Sequence, residues 1–600
     1  FSIHYKNWMN HSNNLTAGKL LKKPPIPVMF DNEHEMRKVY SMIYDVFRYK
    51  HVLIQTLNDV SFYAHFPQLR SDENRVWLML FELYTRHFLK RPAEEIENEA
   101  QLYKEADLNY IAKCLWSQRV RLAAAISRLR IKSGALHLSQ LLPTHLQDEK
   151  VAIAAANPIV SGWINPFKIK FVEDQNVERP LQISQYKWDK ICPLFMSCLP
   201  SDRGEFARSE LVRTNGFVMQ DRTFSLAPAI ISKLLDHFEL DGDIVQTHVS
   251  SPRSTAYLGA LFFSINRVND FLAFGAGTSL PQYKEYIEKL GVDNIRLFSE
   301  NFRTLPLKSP LLETVVGVFA TPPNSYSGIA DPIDLICSRG GDLSMLEVLT
   351  ESEMSKEGKK RVTLILEEQR ETLRLAMSRP QVQFVLYETH SIVGSENQDM
   401  VDRAVEDINR CAFEKHFEAY KEKKRIEELA AAELANIPSA ALAQTPGKKR
   451  GAASASKSEE SISKVRLARE GSKDSVSLNT LEEDITENVK VPQTDQFEVS
   501  EVPDMCLNQD TCLNLSEMGC YVSLLRRKQV TRLDAKYLIK MAESRGLFGN
   551  ADRKKSAKPK SSKKIEKKTD KNDGSGKKTR IKKEDVATLV KDYVVRELNL

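Results

Sequence analysis

Apolar positions along this chain change period several times, and each change predicts a different kind of structure. From about residue 33 to 131 they recur three and four apart, as in MRKVYSMIYDVFRYKHVLIQTL, ENRVWLMLFELYTRHFLK and VRLAAAISRLRI, with almost no Gly or Pro inside. That is helical spacing, and it predicts an all-helical N-terminal domain over residues 1–150, punctuated at its end by Gly134 and Pro143. Over 151–216 the pattern turns irregular. FKIKFVED, a helix-like QYKWDKICPLFM and prolines at 158, 166, 180, 193 and 200 predict a small α+β bridge, RNA-recognition-like in kind. ELVRTNGFVMQD predicts a strand or hairpin leading onward.

From about 217 to 425 short β-rich runs alternate with amphipathic helices: DIVQTHVS, TAYLGALFFSI, DFLAFGAG, QYKEYIEKLG, IRLFSE, VVGVFATP, LILEEQRETLRLAM and QVQFVLYETH. Strand then helix, repeated, predicts an α/β fold with a mainly parallel, doubly wound sheet covered on both faces. Ligands of such sheets bind at the carboxyl ends of the strands, so chemistry is sought there. Beyond 425, KEKKRIEELAAAELA continues a helix. The remainder of 426–600 is Ser-, Ala- and Lys-rich and is expected to be mostly disordered, with one or two helices in 521–547 and another closing the chain.

With 600 residues, 42% of them hydrophobic, the chain is too long for one core and too apolar to be wholly disordered. No run approaches the roughly 18 to 20 apolar residues of a membrane-spanning helix, and FSIHYKNWMN lacks the form of a secretory signal. A non-membrane protein of the nucleus or cytoplasm is expected. The chain begins at Phe1 rather than Met, as a fragment would. Its eight cysteines are scattered without a C-x-x-C pair, which suits free thiols in a reducing compartment. Cys506, Cys512 and Cys520 do not match zinc spacing, so no metal is expected. The net charge of +6 is small, but the Lys-dense stretch 553–583 is either a solvated tail or a sequence-indifferent nucleic-acid arm or nuclear localisation signal.

The order of FVMQDRTFSLAP, PPNSYSG, EEQRETLRLAM and VLYETHSIVGSENQ, with RVRLAAAISRLRIKSGALHLSQLLP upstream, resembles the Sun-type RNA cytosine-5 methyltransferases, nearest to their member-seven branch. The likeness implies a Rossmann-like methyltransferase domain, S-adenosylmethionine as cofactor and RNA as partner. The family's cofactor turn, D-x-C-A-A-P-G-G-K-T, aligns with Thr247 to Ala256, so Ser250, Ser251, Pro252, Arg253 and Ser254 occupy it and only the proline survives. Glycines there let the backbone approach the cofactor as the helix begins. Arg253 and Ser254 replace them, with side chains expected to project where the family presents bare backbone. Gly275 falls where the family's ribose-binding acid belongs, and Glu300 near its adenine-side acid.

Cytosine methylation at carbon 5 requires a thiolate to add to carbon 6. The family's T-C-S nucleophile motif reads Thr389, His390, Ser391 here, and its P-C-S-G release motif reads Ser325, Tyr326, Ser327, Gly328. Pro323 stands where an Asp precedes the second cysteine. His390 and Tyr326 are poor replacements for thiols, and Cys337 or Cys411 is a remote rescue. Three readings stay open: a non-catalytic RNA-binding or assembly module, an active methyltransferase with an unusual site, and a structural partner protein without RNA contact. Lys168, Lys170 and Arg222 are the candidate RNA contacts. Protein partners through the tail fit any of the three.

Overall fold

A computed structural model describes residues 11–90, 103–147, 150–168, 183–351, 356–435, 489–503 and 519–531. It divides into two compact units, one built on Phe1–Ala404 with Val499–Arg526, the other on Val405–Glu498 with Arg527–Gln529. Among the described residues no helix is long and apolar enough to cross a membrane.

The first unit opens with helices, including α1 (Glu33–Arg48), α2 (Lys50–Asp59), α3 (Glu73–Thr85), α4 (Asn109–Ser117) and α5 (Arg119–Lys132). Asn32 starts α1 by accepting the Glu35 N–H at 3.0 Å, and Glu33 and Glu35 lie in the first turn, where the helix dipole favours carboxylates. Its Val39, Ile43, Val46 and Phe47 join Leu53, Leu57, Val76 and Leu80 in one core. That core also takes in Ile333 and Ile336, which come from far along the chain. Shared burial therefore fixes Glu33 and Arg37 of α1 against the α/β part.

A four-stranded antiparallel sheet follows, in the order β2-β3-β1-β4, made of β1 (Val160–Ile164), β2 (Ile183–Trp188), β3 (Phe195–Pro200) and β4 (Phe217–Met219). QYKWDKICPLFM is thus a hairpin and not the expected helix. Asp189 Oδ1 accepts the N–H groups of Ile191 and Cys192, both at 2.8 Å, which closes a turn before Pro193. The expected lead-in strand FVM is the fourth strand of this sheet. Most of FKIKFVED lies outside the described residues.

The main sheet has seven strands in the order β10-β11-β9-β8-β5-β6-β7. These are β5 (Gly242–Gln246), β6 (Val268–Ala273), β7 (Ile295–Leu297), β8 (Val315–Ala320), β9 (Phe384–Thr389), β10 (Phe497–Ser500) and β11 (Tyr521–Arg527). Neighbours from β9 through β8, β5 and β6 to β7 run parallel, and β11 runs antiparallel to β9. Helix α6 (Thr223–Phe238) leads into β5, and the crossover helices include α7 (Pro252–Phe263), α8 (Leu280–Lys289), α9 (Pro332–Ser338) and α10 (Lys356–Met377). Every residue of β8 and β9 is buried, as strands covered on both faces must be. This is a doubly wound, Rossmann-like α/β fold, as the alternating runs predict. The chain passes from β5 to one side and returns to β8 on the other, which puts the switch point at the ends of β5 and β8.

The stretch beginning at 521 forms β11, not the expected helix, in a ladder from Tyr521↔Thr389 to Arg526↔Phe384. Its Ser523, Leu524 and Leu525 are buried in succession, a pattern that carries no helical or strand period. The Lys-dense stretch and the closing helix expected from sequence lie outside the described residues. A helix α11 (Gln398–Ala435) continues through KEKKRIEELAAAELA as expected. In the second unit Asn409 and Phe497 exchange hydrogen bonds at 2.9 and 2.8 Å, and the Arg527 guanidinium lies 4.6 Å from the Phe497 ring centroid.

Candidate functional site

The turn after β5 is shaped by hydroxyls. Thr247 Oγ1 accepts the Thr321 N–H at 3.1 Å, and Thr321 Oγ1 donates to the His248 carbonyl at 2.7 Å, so the turn is tied to the end of β8. Ser251 caps α7 by accepting the Ser254 N–H at 3.2 Å, and Pro252 takes the first helical position, where its missing N–H costs nothing. Ser250 lines the crevice beside them. Arg253 does not project into that crevice. Its guanidinium is buried against Glu33 of α1, at 3.2 and 3.3 Å, and donates to the Met219 carbonyl. Ser254 Oγ turns to the Phe224 carbonyl at 3.0 Å. The Arg253 and Arg37 charges hold Glu33 below its ordinary range against the opposing cost of its burial.

At the far side of the turn His248 Nε2 lies 3.3 Å from Glu368 Oε1, which Asn301 and Arg303 also reach at 3.4 and 3.0 Å. The His248 hydrogen bond is the largest influence lowering the Glu368 carboxyl. Gly275 follows β6 with φ of +80°, and a Cβ there would sit 3.4 Å from His248 Cα. An acidic side chain at 275 would therefore be strained in its backbone. Glu300 is exposed after β7, where its carboxylate accepts from the Ser299 hydroxyl at 3.2 Å.

The turns after β8 and β9 meet over a filled interior. Tyr326 is held in the left-handed region at φ of +53° by Asn324 Oδ1, which accepts its N–H at 3.0 Å, and its hydroxyl accepts from Arg339 at 2.9 Å. Its ring stacks on that of His390, with centroids 6.0 Å apart and planes 17° apart, and Phe224 packs on the imidazole at 4.6 Å. His390 Nδ1 donates to the Gly519 carbonyl at 3.3 Å, and its Nε2 lies 3.7 Å from Glu388 Oε1. Burial pushes the His390 imidazole down to about 4 and the Glu388 carboxyl up to about 8. The Cys520 thiol at the foot of β11 donates to Glu388 at 3.8 Å, and burial pushes it well above the usual thiol range. Ser391 Oγ donates to Glu396 at 3.0 Å, and Glu396 accepts from the Ser325 N–H at 2.9 Å and from Gln369 at 3.2 Å, locking the two turns together.

What remains between the turns is a cavity of about 20 Å³, lined by Gln246, Ser250, Ser254, Tyr326, Glu388 and His390 among others. It holds about one water, whereas ligand sites enclose roughly 300–1,000 Å³. S-adenosylmethionine, held as the resembled family holds it, does not fit: the glycine positions carry a buried ion pair and a backbone-bonded serine, Gly275 offers no carboxylate, and the crevice is full. No cysteine lines it. Cys337 is buried in α9 with its thiol pushed up by burial, and Cys411 is exposed in the second unit. Among the described residues no cluster of His, Cys, Asp or Glu is arranged for a metal. Of the candidate RNA contacts, Arg222 pairs with Asp189 at 2.5 Å, Lys168 is half-buried, and Lys170 lies outside the described residues. Sequence reading missed Asn324, Arg339, Glu388, Glu396 and Cys520. Only Glu388 carried a signal, as a charged residue inside the apolar run FVLYET.

No family model matches the chain. Among curated proteins it is 23% identical over 389 residues to a Mus musculus protein provisionally named methyltransferase NSUN7, covering 63% of this chain and 52% of that one. To the Homo sapiens protein of the same name it is 24% identical over 409 residues, covering 65% and 55%. The chain spans about half the length of these relatives. The resemblance to the member-seven branch of the Sun-type methyltransferases therefore holds for the chain as a whole. Solved structures that align include PH0851, at 13% identity and a TM-score of 0.41 over 66% of this chain and 89% of that one. NSun6 from Pyrococcus horikoshii with SFG aligns at 13% identity and a TM-score of 0.26, over 43% and 83%.

Proposed function

We propose that this chain is a methyltransferase-like module that transfers no methyl group to RNA cytosine and serves as an RNA-binding or assembly module. The observation that supports it is the pair His390 and Tyr326, which stand at the two thiol positions of the resembled family and stack on each other over a cavity of about 20 Å³. Addition to a cytosine ring needs a thiolate with room for the base beside it. A neutral imidazole bonded to a backbone carbonyl and a phenol bonded to Arg339 supply neither.

The test uses the full chain with tritiated S-adenosylmethionine and an unmodified RNA, alongside a calorimetric titration of the cofactor. No tritium on cytosine and no heat of binding are expected from the folded protein. Cytosine methylation abolished by His390→Ala would overturn the reading. A micromolar dissociation constant, worth about 8 kcal/mol, would overturn its cofactor-free part.

A further inference from the structure

We infer that the outward face of α5 is a docking surface for the phosphate backbone of single-stranded RNA, an inference that rests on the RNA-binding reading above. The helix RVRLAAAISRLRIK carries Arg119, Arg121, Arg128, Arg130 and Lys132 and no acidic residue. Leu122, Ala125 and Ile126 are its buried face. Arg121, Arg128 and Lys132 are exposed along one flank of the helix, next to an outer side that carries Val120 and Ile131, which are 71% and 80% exposed.

Arg130 and Lys132 in the last turn suit the helix dipole, but the rest of this charge is placed against the helix's own interest. Arg119 and Arg121 sit in the first turn, where the helix dipole disfavours cations, and Arg128 and Lys132 are like charges four residues apart. Among the described residues the ion pair that relieves this stripe is Arg128 with Asp59, at 2.6 Å, with both side chains largely in solvent, where such a pair contributes little. A polyanion would relieve the rest. From Arg121 to Lys132 the stripe runs roughly 16 Å along the axis at about 1.5 Å per residue, and four of the five cations are guanidinium forks suited to phosphate.

At the start of the stripe the Arg119 guanidinium lies 4.4 Å from the Trp116 ring centroid, with Arg86 at 5.7 Å, and Lys113 is exposed on the same helix as Trp116. A cationic track beside an aromatic and guanidinium stack is what single-strand binding uses, phosphates along the track and bases on the flat groups. The large cleft next to Gly328 has a mixed charge and no such stripe. Its volume is about 770 Å³, and its lining includes Asp221, Asp331 and Asp334 together with Arg37 and Arg203. Arg37 on its wall is engaged by Glu33 and Asp334.

The experiment is fluorescence anisotropy of the full chain with a labelled single-stranded RNA 20-mer across a salt series. It compares the wild type with Arg121→Glu/Arg128→Glu/Lys132→Glu, whose unchanged urea midpoint shows that it folds. The variant is expected to lose at least tenfold in affinity and to show a salt slope shallower by about two, at roughly 0.7 for each phosphate no longer neutralised. RNA binding by the wild type with an unchanged slope in the variant would overturn the α5 surface and leave the RNA reading standing. No RNA binding by the wild type would overturn both. Displacement of the RNA by an equal concentration of polyglutamate of matching charge would overturn the assignment to nucleic acid.

Discussion

The turn after β5 and the paired turns after β8 and β9 have both departed from the pattern of the resembled methyltransferases, and they have done so by opposite physics. In the first, bare backbone is replaced by charge: Arg253 is buried against Glu33, a residue 220 positions away on α1. In the second, thiols are replaced by neutral rings, with Tyr326, His390 and Phe224 packed together and the nearby carboxyl of Glu388 held protonated by burial. A charged closure depends on one partner and fails if that partner is removed. A packed closure spreads its stability over many contacts and fails gradually.

The largest effect is expected from breaking the charged closure. Glu33→Ala leaves Arg253 and Arg37 short of a buried carboxylate, and Arg253 Nε already lacks an acceptor. A loss of about 3–5 kcal/mol in urea denaturation is expected, with much of it recovered when Arg253→Met is added. A loss below about 1 kcal/mol would mean that the pair does not join α1 to α7.

Next comes the packed closure. Tyr326→Ala should cost about 3 kcal/mol by opening a cavity over His390, and Tyr326→Phe about 1 kcal/mol through removal of the Arg339 hydrogen bond. Equal costs for the two would place the energy in the hydroxyl and erase the contrast between the turns.

The smallest effect is a dependence on pH. Glu388 is raised to about 8, so the folded state keeps a proton that the unfolded state releases near its ordinary value, and stability falls as pH rises toward 8. His390, lowered to about 4, acts in reverse, and its contribution is lost as pH falls below about 6.5. The two oppose each other in mildly acidic solution. Between pH 6.5 and 8 Glu388 acts alone and should remove about 2 kcal/mol. Glu388→Gln should flatten that slope, and an unaltered slope in the variant would place the titration elsewhere.

Much of the fold was legible because period is a local property. Every strand and helix from DIVQTHVS to QVQFVLYETH is present where alternation predicts it. The hairpin in QYKWDKICPLFM was not, because an Asp189 turn overrode a helical spacing. Nor was β11, whose buried run has no period and whose conformation is decided by the vacant edge of β9. At the site, the motif likeness named the positions where the family's chemistry was to be sought. It did not tell where the new side chains would go. Arg253 was expected in the crevice and lies against α1, and Cys520 was not associated with the site at all.

By itself the sequence determined the alternation of elements, the absence of cysteine at positions 326 and 390, and the charge of α5, since each is a matter of residue type and spacing. Tertiary structure alone decided that the crevice is closed, because closure depends on Glu33 meeting Arg253 and on Gly519 and Cys520 being carried to His390 and Glu388 by a returning strand. Those pairs join residues more than 120 positions apart, and no local pattern encodes which distant groups the fold will bring together.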